Sequence, residues 1–238
     1  MSLIVSGLND AQKEAALYTE GPLLVLAGAG SGKTKALTHR IAYMLEKGVR
    51  PWNIMALTFT NKAAEEMRIR IAQLVGPIAE DLWMSTFHSA CVRILRRDIE
   101  VLGYSSGFNI YDSDDQVRLI RHILKAQNID IKKTPPKSFA VKFDDAKRQP
   151  FRTPQLADYL EDKYDLQTKN VFLQYQKRMK QNNVVDFNDL INFTIHIFQD
   201  FPEILSRRQR QFQYLMVDEY QDTNASQYAL IRLLSSAS

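Results

Sequence analysis

Residues 27–34 read Ala27-Gly28-Ala29-Gly30-Ser31-Gly32-Lys33-Thr34, directly after the apolar run Leu23-Leu24-Val25-Leu26. Glycines in a turn between a strand and a helix let successive backbone N–H groups point inward, where they cradle phosphate oxygens. A lysine closing such a turn reaches the β- and γ-phosphates of a nucleoside triphosphate, and the following hydroxyl takes a place on Mg²⁺. The strict spacing pattern has Gly at position 27, where this chain has Ala. An ordinary glycine-rich turn would not need Lys-Thr opening a helix, and Leu37, Ile41, Met44 and Leu45 followed by Gly48 form such a helical pattern. Ala29, Gly30, Ser31, Gly32, Lys33 and Thr34 are therefore the candidate contacts of a nucleoside triphosphate and its Mg²⁺.

A second acidic element lies near the other end of the chain. Tyr214-Leu215-Met216-Val217 runs into Asp218-Glu219, an apolar strand pattern ending in a carboxylate pair. The aspartate at the end of the strand can hold Mg²⁺ together with Thr34. The glutamate beside it can polarise an attacking water. A solvated acidic pair at a strand end is the alternative reading of the same residues.

Four apolar segments, 23–26, 54–59, 82–87 and 212–217, read as buried parallel strands. Asn61 is placed to cap a helix carrying Ala63, Met67, Ile71 and Leu74 on one face, and a further helix carries Ala90, Ile94, Leu95 and Val101. This alternation predicts a doubly wound α/β core. From Tyr104 to Gln211 the pattern turns mainly helical, punctuated by Pro135-Pro136, Pro150 and Pro154. Ser113 through Gln116 reads as a capping box, and Asp186-Phe187-Asn188-Asp189-Leu190 opens another helix. The expected domains are a first core part at 1–103, an inserted helical subdomain at 104–211, and a second core part at 212–238.

Composition narrows the class without naming a function. The 238 residues are 45% hydrophobic, enough for a sizeable core. Lys plus Arg number 31 against 27 acidic residues, a net charge of +4 that fits a polyanionic partner without requiring one. The single Cys91 excludes an internal disulfide and suits a reducing, cytoplasmic setting. No apolar run reaches membrane-spanning length.

Asp218-Glu219-Tyr220-Gln221-Asp222-Thr223-Asn224, taken with the loop at 27–34, resembles the UvrD/Rep/PcrA-type DNA helicases of superfamily 1. Leu8 through Ala15, centred on Gln12, resembles that family's Q motif. Ala56 through Ala64 resembles its motif Ia, and Trp83 through Ser89 its motif Ib. The motifs follow the family's order from residue 8 to 224.

The resemblance implies a RecA-like P-loop NTPase sheet with a mostly helical insertion. It makes the bound nucleotide ATP and adds Lys35 to its contacts. It implies that Gln12 reads the adenine edge and that Lys33, Glu219 and Gln221 serve hydrolysis, with Gln221 sensing the γ-phosphate. It also implies that Phe59, Thr60, Asn61, Thr86 and His88 meet single-stranded DNA. By the alternation of strand faces Phe59 is also readable as core, and Gln12 as a solvated first-turn residue. Many relatives carry Arg at the position of Lys35, which removes any guanidinium-specific contact there.

In the insertion, Lys132, Lys133, Lys137, Lys142, Lys147, Arg148 and Arg152, or Lys177, Arg178 and Lys180, read either as a DNA-facing basic surface or as solvated helix faces. The resemblance further implies an ATP-dependent 3′–5′ helicase whose second RecA-like lobe and motif III lie beyond Ser238. It leaves an unpaired edge in the sheet and implies little motor activity for these 238 residues alone. Single-stranded DNA, duplex junctions, the C-terminal lobe, and repair or replication proteins are the implied partners. A helicase–nuclease of the AddA or RecB type, and a nucleotide- or DNA-binding module without motor activity, are the other readings.

Overall fold

The computed structural model describes residues 3–28 and 30–236. Its strands are β1 Ile54–Thr58, β2 Trp83–Thr86, β3 Asn109–Tyr111, β4 Val184–Asp186 and β5 Tyr214–Val217. Helices α1 to α6 span Asp10–Leu17, Lys33–Glu46, Asn61–Val75, Phe87–Asp98, Ser113–Ala126 and Pro136–Ala146. Helices α7 to α11 span Thr153–Lys163, Leu166–Gln181, Phe187–Asp200, Pro202–Gln211 and Ala225–Ser235. The protein is thus mixed α/β and mostly helical. It divides into two compact units, one of Met1–Ala90, Ser206–Asp222 and Leu234–Ser238, the other of Cys91–Leu205 and Thr223–Leu233.

The first unit holds a three-stranded parallel sheet in the order β2-β1-β5. Met55 stands opposite Trp83 and Thr58 opposite Thr86, while Ile54 faces Tyr214 and Leu57 faces Val217. All five residues of β1 are buried, as expected of a central parallel strand covered on both faces. Ile41, Met44, Ile54, Ala56, Met67, Ile71, Met84 and Met216 form one apolar cluster that joins α2 and α3 to the sheet. Trp83 and Phe212 meet edge to face at 4.6 Å, which makes Trp83 a core residue. Because the strands are parallel, the residues after Thr58, Thr86 and Val217 all leave the same edge, the edge where sheets of this class bind ligands.

Three expectations for this unit meet a correction or lie out of reach. Residues 23–26 form no strand. Leu24 is 65% and Leu26 84% exposed, and no described strand pairs with them. An apolar run becomes a strand only where a neighbouring backbone supplies a hydrogen-bond ladder, and the free edge of β5 has no such neighbour among the described residues. The cap of α3 is Thr60, whose hydroxyl accepts from the Ala63 N–H at 3.0 Å, and Asn61 is the first helical residue. Ala29, a candidate phosphate contact, lies outside the described residues.

The second unit packs α5, α6, α7 and α8 around Phe139, Phe143, Leu160, Val171, Phe172, Tyr175 and Met179. Phe143 meets Phe172 edge to face at 5.1 Å. β3 and β4 form a two-stranded parallel sheet. The cap of α5 is Asp112, which accepts from the N–H groups of Asp114 and Asp115, so Ser113 is already helical. Asp186 caps α9 in a reciprocal box with Asp189, as its sequence signature indicates. Cys91 is buried, and burial pushes its thiol up to about 12.

The basic stretch of residues 132–152 is not one solvated face. Lys147 is fully buried, its ammonium donating to Asp186 at 2.5 Å and Asp189 at 2.7 Å. Tyr175 donates its hydroxyl to the same Asp186 at 3.1 Å. Arg152 is held by Asp200 through two bonds of 2.7 and 2.6 Å.

Candidate nucleotide and nucleic-acid site

The loop before α2 owes its shape to glycine. Gly30 has φ +77° and Gly32 φ +85°, the left-handed region that costs other residues about 1–2 kcal/mol. The Ser31 N–H and hydroxyl both donate to the Gly28 carbonyl, at 3.3 and 2.7 Å. Gly32 caps α2 without any side-chain hydrogen bond. The first N–H groups of α2 are therefore left for an external acceptor, and the helix dipole adds positive potential there.

Lys33, at the first position of α2, turns its ammonium back over the loop and donates to the carbonyls of Ala27 at 3.0 Å and Gly28 at 3.3 Å. The cation is thus held over the concavity that the glycines form. Thr34 follows on the same turn and is half-buried. Lys35 points elsewhere, donating to the Gly7 carbonyl at 2.7 Å. In this arrangement Lys35 ties the loop to the N-terminal segment.

Gln12 is joined to the same loop. Asn9 caps α1, accepting from the Gln12 N–H at 2.9 Å, and the Gln12 side-chain oxygen accepts from the Asn9 N–H at 3.2 Å. Its amide nitrogen donates to the Ser31 carbonyl at 2.9 Å. An amide has two donor hydrogens and two acceptor lone pairs, so one of each remains for a ligand. A Cβ built on Gly32 would stand 2.5 Å from the Gln12 amide nitrogen. Gly32→Ala accordingly lowers unfolding stability by about 1–2 kcal/mol and separates Gln12 from Ser31. Urea denaturation at equilibrium measures the first effect, and an unchanged midpoint would count against the backbone argument.

Asp218 leaves β5 at the ligand edge, its N–H donating to the Leu57 carbonyl at 3.0 Å. Burial and the adjacent Glu219 charge raise its carboxyl above the ordinary range, while the Glu219 N–H and the charge of Lys33 act against the rise. The positive charge of Lys33 is thus felt at Asp218. Glu219 adopts φ +50°, a strained setting for a residue with a side chain and one that clusters at functional positions. Gln221 donates its amide to the Glu219 carboxylate, which links these two residues directly.

The remaining candidates line the edge after β1 and β2. Phe59 is half-buried, its ring 5.6 Å from that of Phe87. Thr60 and Asn61 are exposed. Thr86 is buried, and its hydroxyl is committed to Ser89, donating to the hydroxyl at 3.0 Å and accepting from the N–H at 3.2 Å. His88 is half-buried, and burial lowers its pKa below the usual imidazole value. The Gln12 tie to Ser31 and the commitment of Thr86 are features that residue spacing could not disclose. The Asn-x-x-Gln signature at Asn9 and Gln12 was the available signal for the first. Among the described residues no cluster of His, Cys, Asp and Glu stands ready as a metal cage, and no helix is long and apolar enough to cross a membrane.

Residues 8–238 match the family described as UvrD/REP helicase N-terminal domain. The chain is 50% identical over 233 residues to ATP-dependent DNA helicase PcrA of Bacillus subtilis, covering 98% of this chain and 32% of that protein. It is also 50% identical over 238 residues to the PcrA helicase of Staphylococcus aureus and 49% identical to that of Staphylococcus epidermidis, covering 99% of this chain and 32% of each relative. The chain therefore spans about a third of the length of these relatives.

Proposed function

This chain belongs to the UvrD/REP helicase family, and from that premise we propose that it is the ATP-binding N-terminal part of a helicase that moves 3′ to 5′ on single-stranded DNA. The observation that carries this reading is the convergence of Lys33, Asp218 and the glycine loop in one site, with Gln12 bonded to the loop. Its domains are a RecA-like core at 1–103 and 212–238 and a helical insertion at 104–211.

ATP binds with its phosphates against the amides of Gly30, Ser31, Gly32, Lys33 and Thr34, and Lys33 exchanges its loop carbonyls for phosphate oxygens. Thr34 and Asp218 hold Mg²⁺, Glu219 polarises the attacking water, and Gln12 uses its spare donor and acceptor on adenine. Gln221, bonded to Glu219, passes the state of the γ-phosphate onward. The unladdered segment at 23–26 leaves the loop imperfectly held. Slow turnover and no unwinding by these 238 residues alone follow from that loss of preorganisation. The rest of the helicase supplies the second lobe and engages the duplex junction.

Single-stranded DNA lies along the ligand edge, with Phe59 stacking on a base and Thr60, Asn61 and His88 meeting the backbone. Thr86 acts by positioning His88 through its cap on α4. Phe59→Ala is expected to weaken binding of a fluorescein-labelled single-stranded oligonucleotide about 10-fold, within the ~1–3 kcal/mol of one base–aromatic stack. Anisotropy titration measures this, and equal affinity of variant and parent would remove Phe59 from the interface.

A further inference from the structure

The second unit contains a cavity of about 590 Å³ between α8, α9 and the segment around Tyr104, within the size range of small-ligand sites. Tyr104 and Phe193 form one wall, their ring centroids 5.3 Å apart. Two polar side chains lining it are more than nine-tenths buried, Gln176 at 8% and His196 at 8% exposure. The backbone carbonyls of Pro150 and Phe151 hydrogen-bond the His196 ring, while its Nε2 has no partner. Burial and the nearby Arg152 push this imidazole down to about 4, so at neutral pH it is uncharged and Nε2 is an acceptor. The Gln176 amide has no partner among the described residues either. A buried polar group without a partner costs about 1–3 kcal/mol, so the His196 Nε2, unpartnered among the described residues, indicates that something polar fits there, and the Gln176 amide on the same lining is open to pair with the same occupant.

The charges at the rim define the ligand further. Arg152 is already paired with Asp200, and Lys180 donates to the Leu102 carbonyl while lying 5.7 Å over the Tyr104 ring. Lys177 lines the same cavity, is exposed, and has no side-chain partner among the described residues. An aromatic wall, an amide offering donor and acceptor, a neutral imidazole acceptor and a free ammonium match a flat heterocycle with in-plane hydrogen-bonding edges and an attached phosphate. An acidic peptide would satisfy Lys177 but brings no flat ring to the Tyr104–Phe193 wall.

We propose that this cavity binds one nucleotide unit, base inward against Tyr104, Phe193, Gln176 and His196 and phosphate at Lys177. The choice of a single-stranded nucleic acid over a free nucleotide as its source rests on the DNA-binding function proposed above.

The test is photo-crosslinking of the 238-residue protein to a single-stranded 12-mer carrying 5-iododeoxyuridine, and separately to 5-iododeoxyuridine monophosphate, with peptide mapping. Adducts on Tyr104 or Phe193 are expected with the 12-mer. Their yield should fall at least fivefold in Lys177→Glu, a surface change, and in Gln176→Leu with its unfolding temperature checked. Cavity adducts with the monophosphate as well would also support the site and make the free nucleotide its source. Adducts confined to the peptide containing Phe59 would overturn the cavity proposal and leave the DNA-binding function standing. Cavity adducts without any at Phe59 would do the reverse. Cavity adducts undiminished in both variants, or binding of a glutamate-rich peptide with no oligonucleotide adduct, would overturn the proposal.

Discussion

Lys33→Ala is expected to lower the affinity of the chain for Mg²⁺·ATP by about 10- to 100-fold while leaving the unfolding midpoint nearly unchanged. Lys33 stands at the first position of α2 and its ammonium reaches only the loop carbonyls of Ala27 and Gly28. Removing it breaks no contact of the apolar cluster under the sheet, whose first residue on α2 is Leu37. A hydrogen bond from a charged donor contributes about 1.5–3 kcal/mol, which sets the expected loss. Lys35→Ala is the control, because its ammonium is bound to Gly7 away from the loop concavity. Titration calorimetry measures both, and equal losses for the two variants would contradict the assigned role of Lys33.

Lys147→Met is expected to destabilise the helical unit by about 3–5 kcal/mol, the cost of leaving a buried ionic group without its partner. Asp186 and Asp189 would then face each other with only Tyr175 and the capping N–H groups for support. In the native network burial pulls the Lys147 ammonium down, and the two carboxylates outweigh that effect, so its pKa is raised. That stabilisation is complete below the ordinary lysine value and is lost only as pH rises through the higher folded value.

Asp189 behaves in the opposite sense for an acid. Burial and Asp186 raise it to about 6 against the pull of Lys147. Folding thus favours its protonated form, and its contribution to stability declines as pH rises from the ordinary carboxylate range to about 6. Without Lys147 the Asp189 carboxyl moves higher still, so the deficit of the variant should be larger at pH 8 than at pH 6. Urea unfolding at the two pH values measures this. A deficit independent of pH would mean that cavity formation, not charge, sets the cost.

What could be read from sequence follows from the range of each interaction. The glycine loop is local, since its glycines, lysine and hydroxyl occupy eight successive residues, and its left-handed glycines and the start of α2 fall where the pattern places them. The strands β1, β2 and β5 lie within apolar stretches, and β1 is buried along its whole length, so such stretches are legible. Residues 23–26 have the same composition and no ladder, because pairing depends on a neighbour that composition cannot supply. β3 and β4 are three residues each, too short to show a period.

Lys147 looked like one more charge in a basic stretch. Its burial depends on two carboxylates about 40 positions away, and only the capping box at Asp186 and Asp189 hinted at a polar centre there. The cavity at Gln176 and His196 gave no local signal, since its residues come from four separate segments. The acidic pair Asp218-Glu219 was visible as a strand-end motif. The left-handed backbone of Glu219 and its bond to Gln221 were not.

The central claim is that the glycine loop, Gln12 and Asp218 form one triphosphate site. Backbone and side-chain amide NMR during a Mg²⁺·ATP titration tests it most directly. The account predicts saturable shifts for the amides of Gly30, Gly32, Lys33 and Thr34, for Asp218, and for the Gln12 side-chain amide, all fitting one dissociation constant. Saturable shifts that bypass residues 28–35, or that leave Gln12 unmoved while the loop responds, would contradict it.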